Sequence, residues 1–240
     1  YTVSEDQKTY TFTLRNNARW HDDQPVTSAD VLFTLEAIQN PEYHSPLSVS
    51  FAGAIVTAPD PATVIVSISE PFSPLLGALT VGILPQHLWA AVIPQNAPLS
   101  TWNIKPIGSG PFMFSKLVKD TRGALKSYTL VRNESFYRDT VYLGEFTMKF
   151  YGDIYELTDA LRNKNIEGAS VLSAQNAQSL ADDGIIHLGA PRLSQFTAAF
   201  FNEKHSTVIA NDDIRIALAQ ATDRTLVAQA ATGNLATPIV

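Results

Sequence analysis

Apolar and polar positions alternate with period two over seven stretches of the chain: residues 10–15, 54–58, 63–69, 112–118, 127–132, 146–151 and 195–201. Alternation puts successive side chains on opposite faces, so each stretch predicts a β-strand with one sheltered face. In residues 63–69 the sheltered set is Val64, Val66 and Ile68. The turn formers Ala58-Pro59-Asp60-Pro61-Ala62 separate two of the runs and predict a hairpin.

Between strands the period lengthens to that of a helix. Thr27 is placed to cap a helix in which Asp30 favours the positive end and Val31, Leu35 and Ile38 recur at i, i+4 and i+7. Asn40-Pro41 ends it. Further helices are expected over 154–163, over 174–183 with Ser173 as cap and Gly184 as stop, and over 212–231. The last is broken near Asp223 and turns Ile214, Leu218 and Ala221 inward. From Ile83 to Gly110 the periodicity fades and Pro85, Pro94, Pro98 and Pro106 cluster, as in a crossover between lobes. The expectation is an α/β chain with mixed sheets: a small α/β domain over residues 1–85 and a second domain over 86–240.

Composition narrows the function classes. The chain has 240 residues, is 45% hydrophobic, and carries 17 Lys and Arg against 23 Asp and Glu, a formal charge of −6. Its basic residues are scattered, which argues against nucleic acid as a partner. Apolar runs are interrupted well before the roughly 18–20 residues needed to span a bilayer. There is no cysteine, which removes disulfide frameworks, thiolate metal sites and cysteine nucleophiles together. The first residues carry neither the basic start nor the apolar stretch of an export signal, and a strand begins almost at once; the expectation is a cut piece of a longer protein, any export signal having been removed or lying upstream.

Catalytic chemistry finds little support. Gly108-Ser109-Gly110 lacks the Lys-Ser/Thr ending of a phosphate loop and the Gly-x-Ser-x-Gly spacing of a nucleophile elbow, and is expected to be a tight turn before the strand at Phe112. His21-Asp22-Asp23 has no recognisable zinc or EF-hand spacing and reads as a solvated turn. His44, His87, His187 and His205 are isolated, and Asp153, Glu156, Asp182 and Asp183 read as exposed helix-end charge. No catalytic residue, metal site or cofactor is assigned.

One series of motifs is specific. The run from Trp20-His21-Asp22-Asp23 through Thr27 to Asp30-Val31, after the strand Tyr10-Thr11-Phe12-Thr13-Leu14-Arg15, closely resembles the signature of extracellular solute-binding proteins of family 5, the peptide/nickel type. The resemblance continues in Val56-Thr57-Ala58-Pro59-Asp60, Ser69-Glu70-Pro71-Phe72, Leu84-Pro85-Gln86-His87, Gly108-Ser109-Gly110-Pro111-Phe112, Arg132-Asn133, Phe201-Asn202 and Asp213 to Arg224. Two positions depart from it: Asp23 stands where the family usually has Gly, and the segment 163–167 lacks a Gly the family carries.

The resemblance implies a mixed-sheet lobe of a class II periplasmic-binding-protein-like fold with an attached small α/β domain, lacking a second lobe. It implies an extracytoplasmic, monomeric binding component of an ABC importer that closes by a hinge around a small solute, most simply an oligopeptide and in some branches a nickel complex or a sugar, and delivers it to a membrane permease. In peptide-binding members the carboxylate that meets the peptide amino terminus comes from the other lobe. On this side, Leu47 matches a position that often faces the cleft, and Ser170, Val171, Ser173, Gln195 and Phe196 are the other candidate ligand contacts. For Val171 and Phe196 a core position is an equal alternative. A sensor or interaction domain that reuses the lobe, and a hydrolase, remain as other classes.

Overall fold

A computed structural model describes residues 1–170, 172–189, 197–232 and 236–238. The chain groups into two compact units, Tyr1–Lys149 and Phe150–Val240.

The first unit opens with a four-stranded antiparallel sheet in the order β1 (Thr2–Val3), β2 (Thr9–Thr13), β4 (Thr63–Ser67), β3 (Ile55–Asp60). β3 and β4 form the hairpin expected around Pro59-Asp60-Pro61, where Asp60 Oδ1 accepts the amide of Ala62 at 2.8 Å. The twelve-residue helix α1 (Ser28–Gln39) packs on β3 and β4. Val64 and Val66, alternate residues of β4, join Tyr10, Leu35, Ile38, Phe51, Ala54 and Leu75 in the core, with Val31 and Ile68 packed against its edge. Full burial of side chains of this size stabilises by about 1.5–3 kcal/mol each. Gln39 closes one end of this core, its amide donating to the carbonyls of Phe51 and Ala54 at 2.8 and 2.7 Å.

The segment after β4 carries two short helices, α2 (Leu75–Ala78) and α3 (Gln86–Trp89), and Pro-rich 3-10 turns at Pro94–Leu99 and Thr101–Asn103. It leads into a second antiparallel sheet of β5 (Phe112–Lys119), β6 (Leu125–Arg132) and β7 (Glu145–Lys149). Phe114, Leu130 and Phe146 are paired neighbours across the three strands, and the rings of Phe114 and Tyr128 lie 5.2 Å apart. Every strand pairing among the described residues is antiparallel, so these sheets carry no parallel component.

The sheets lie on either side of the boundary expected near residue 85, yet hydrogen bonds cross it. The amide of Leu84 donates to Thr34 Oγ1, that of Gln86 to Asp30, and His21 engages Gly108 and Gly110.

The second unit contains α4 (Ile154–Arg162), α5 (Ala174–Asp182), α6 (Asp212–Ala221) and α7 (Arg224–Thr232). Asp153 caps α4 by accepting from the amides of Tyr155 and Glu156, and Glu156 reaches back to the amide of Gly152. Ser173 caps α5, and Gly184 after it adopts φ +69°. Ala160, Leu161, Ala177 and Leu180 are buried, and an ion pair from Arg162 to Asp183 at 3.2 Å ties α4 to the end of α5.

Two expectations require correction here. Residues 197–201 form no strand; Gln195 and Phe196, the start of the expected one, lie outside the described residues. On α6, Ile214 is half-buried but Leu218 and Ala221 are exposed. Spacing puts these residues on one side of α6, but among the described residues Leu218 and Ala221 on that side stay exposed.

Candidate ligand-binding surface

The residues of the Trp20–Asp30 stretch act first on the fold. The Trp20 side chain is buried and its indole N–H points at Asp30 Oδ2, 3.3 Å away. The same oxygen accepts the backbone amide of Thr27 at 2.8 Å, closing a capping box at the start of α1, while Oδ1 accepts the amide of Gln86 at 2.8 Å. One buried carboxylate thus satisfies donors from the entry turn, the helix cap and the crossover segment, as burial of a charge requires. Asp30 does more than favour the helix dipole.

His21-Asp22-Asp23 is a structured turn. His21 exchanges backbone and ring contacts with the glycine run: its amide donates to Gly108 O at 2.8 Å, Gly108 N–H donates to Nδ1 at 3.1 Å, and Nε2 lies 3.1 Å from Gly110 O. A Cβ on Gly108 would meet the imidazole at 3.3 Å, so glycine here permits the close approach. Asp22 Oδ2 lies 2.7 Å from His87 Nε2 on α3. Asp23 adopts φ +66°, and Lys164, in the other segment that departs from the family pattern, adopts φ +55°. Both departures therefore occupy left-handed backbone, which glycine enters most readily.

Of the candidate ligand contacts, Leu47 sits where a turn leads into the 3-10 helix Ser48–Phe51. Phe51, at 1% exposure, anchors this loop in the core, while Leu47 and Val49 present 40% and 85% of their surface to solvent. Ser170 is exposed and belongs to no helix or strand, and Ser173 is exposed with its hydroxyl occupied by the amide of Asn176 at 3.2 Å. Val171, Gln195 and Phe196 lie outside the described residues. Leu47 belongs to the first unit, Ser170 and Ser173 to the second.

The structure adds surface that periodicity did not single out. Phe200, Phe201, Asn202, Glu203 and Lys204 line an open depression of about 440 Å³, with Phe200 90% exposed. Its volume falls in the range of small-ligand sites, but it opens broadly to solvent where such sites bury most of the ligand. Arg215 supports this loop from α6, pairing with Glu203 and Asp212 and donating to Ile209 O.

The profile of the bacterial extracellular solute-binding proteins, family 5 (middle region), matches residues 1–240. The chain belongs to this family. A putative ABC transporter peptide-binding protein of Brucella ovis is 34% identical over 170 residues, covering 70% of this chain and 31% of the relative. Among solved structures, NikZ from Campylobacter jejuni, in complex with Ni(L-His), superposes with a TM-score of 0.72 at 26% identity over 95% of this chain and 44% of its own. The ABC transporter substrate-binding protein CtaP from Listeria monocytogenes gives 0.79 at 24% identity over 97% and 47%, a likeness of fold. The family 5 chain thus spans about a third of the curated relative and under half of these structures. Family 5 members are binding proteins, and the helices and antiparallel sheets described here form an α/β lobe of their kind.

Proposed function

We propose that this chain forms part of the solute-binding component of an ABC importer, located outside the cytoplasm, and that the solute is a peptide. The observation that carries the reading is the match of the family profile across all 240 residues. The peptide assignment is supported by the relative named as a peptide-binding protein at 34% identity. The protein captures its ligand and does not turn it over, acts as a monomer, and hands the ligand to a membrane permease.

On this reading Leu47, Ser170, Val171, Ser173, Gln195 and Phe196 contribute one wall of a cleft, and a further lobe supplies the other. Leu47, held at the surface by the Phe51 anchor, gives that wall an apolar contact. The division at residue 85 is retained for the whole protein, because each side of it carries its own sheet.

Calorimetry on a protein of the relatives' full length, with peptides of two to five residues, tests the function. Micromolar or tighter binding weakened by Leu47→Asp supports both the function and the placement of Leu47. Failure to bind any peptide overturns the peptide assignment, and undiminished binding by the variant removes Leu47 from the wall.

A further inference from the structure

His21 turns its backbone amide and its whole imidazole edge toward one partner segment. Its backbone amide and both ring nitrogens are committed to Gly108 and Gly110, 87 to 89 residues away. Because Gly108 contributes an N–H, Nδ1 has to be the acceptor; because Gly110 contributes a carbonyl, Nε2 has to carry the proton. The geometry therefore selects one neutral tautomer. Gly110 O also accepts from the side-chain amide of Asn133 at 3.1 Å, and the Asn133 backbone amide donates to Pro111 O. A continuous path thus runs from the turn before α1, through the glycine run, to the end of β6.

We propose that His21 is an acid-labile clasp that fastens the entry turn of α1 to the glycine run leading into the second sheet, and that its protonation opens this fastening. An imidazolium has no lone pair at Nδ1, so protonation places two N–H groups against each other at 3.1 Å and strands the Gly108 amide. The change is local and reversible.

The surrounding charge is limited. On its own turn His21 is followed by Asp22, whose carboxylate is engaged by His87 of α3, and by Asp23. Residues 106–112 of the facing segment are uncharged, with Lys105 just before them, and Asn133, the residue after β6, is neutral. Asp22 favours the imidazolium, as does the Gly110 carbonyl, but the loss of solvent around the ring outweighs both and holds its pKa below the usual histidine value. The sign follows: the open form takes up its proton near the ordinary value of 6.5 and the clasped form only at lower pH. The clasp is thus fully effective above about 6.5 and weakens as pH falls from there through the clasped value.

Nitrogen-15 NMR and amide hydrogen exchange on the 240-residue chain test this directly. At pH 7.5 the ring is expected to be neutral with the proton on Nε2, and the Gly108 amide protected. Protection, corrected for intrinsic exchange, is expected to fall as the pH drops below about 6.5, by less than about tenfold per pH unit, and to level off once the clasped ring itself is protonated. His21→Asn, whose side-chain oxygen takes the place of Nδ1 without titrating, should abolish the pH dependence. A proton on Nδ1 at pH 7.5, or Gly108 protection that is flat between pH 7.5 and 5 in the unsubstituted chain, overturns the proposal whether or not the variant folds.

Discussion

Asp30 Oδ1 accepts the backbone amide of Gln86 at 2.8 Å across 56 positions of sequence, so a residue at the first turn of α1 fixes the start of α3. Asp30 is 4% exposed and its other carboxylate oxygen is already engaged by Thr27 and Trp20.

Replacing that carboxylate should therefore cost more than removing the helix cap beside it. Asp30→Asn keeps the shape but turns one acceptor into a donor that faces an N–H; the expected loss is about 1.5–3 kcal/mol, the range for hydrogen bonds to charged groups. Thr27→Ala should lose about 1 kcal/mol, as N-cap substitutions do. Urea unfolding of the two variants checks the order. Equal losses would mean that the contact to Gln86 contributes nothing beyond the capping box.

The glycine run supplies a contrast between neighbours. A Cβ at 108 meets the His21 ring at 3.3 Å, whereas a Cβ at 110 meets nothing within 4 Å. Gly108→Ala should destabilise by about 1 kcal/mol through overpacking against the ring, and Gly110→Ala by less than about 0.5. A difference spectrum of the His21 ring resonances, displaced in the first variant and unchanged in the second, locates the cause; matching losses in both would point to backbone entropy instead.

The two positions where the chain departs from the family pattern make a further test. Lys164 at φ +55° has a long side chain that gains nothing from the left-handed region, while Asp23 at φ +66° is of a type that tolerates it. Lys164→Gly should stabilise by about 0.5–1 kcal/mol, the relief of strain exceeding the extra chain entropy of glycine. Asp23→Gly should change stability by less than about 0.5 kcal/mol. Thermal unfolding measures both, and a destabilised Lys164→Gly would show that the lysine makes a compensating contact.

These relationships separate what sequence carries from what it does not. The hairpin at Pro59–Pro61, the caps at Thr27 and Ser173, the stop at Gly184 and the break near Asp223 each depend on residues within a few positions of one another, and were legible. The bond from Asp30 to Gln86 and the clasp from His21 to Gly108 join segments far apart, and neither partner carries a local mark of the other. Leu218 shows a related limit: its spacing places it on the apolar face of α6, but spacing does not say what covers that face. The candidate site suffers most: Leu47 and Ser173 lie 126 positions apart in separate units, and a ligand contact leaves no period in sequence.

Residues 1–240 alone should bind short peptides at least tenfold more weakly than a protein of the relatives' full length that contains them. The surface described here is open: Leu47 and Val49 are exposed, and the depression beside Phe200 faces solvent. Tight sites bury most of the ligand surface, so a single wall leaves one side of a peptide hydrated. On the proposed reading a second lobe also brings a carboxylate to meet the peptide amino terminus, a charged hydrogen bond worth about 1.5–3 kcal/mol. Losing it alone weakens affinity by roughly tenfold to a hundredfold. Calorimetry with one peptide on both proteins decides the matter: equal affinities would place the whole site within these 240 residues and remove the need for a second wall.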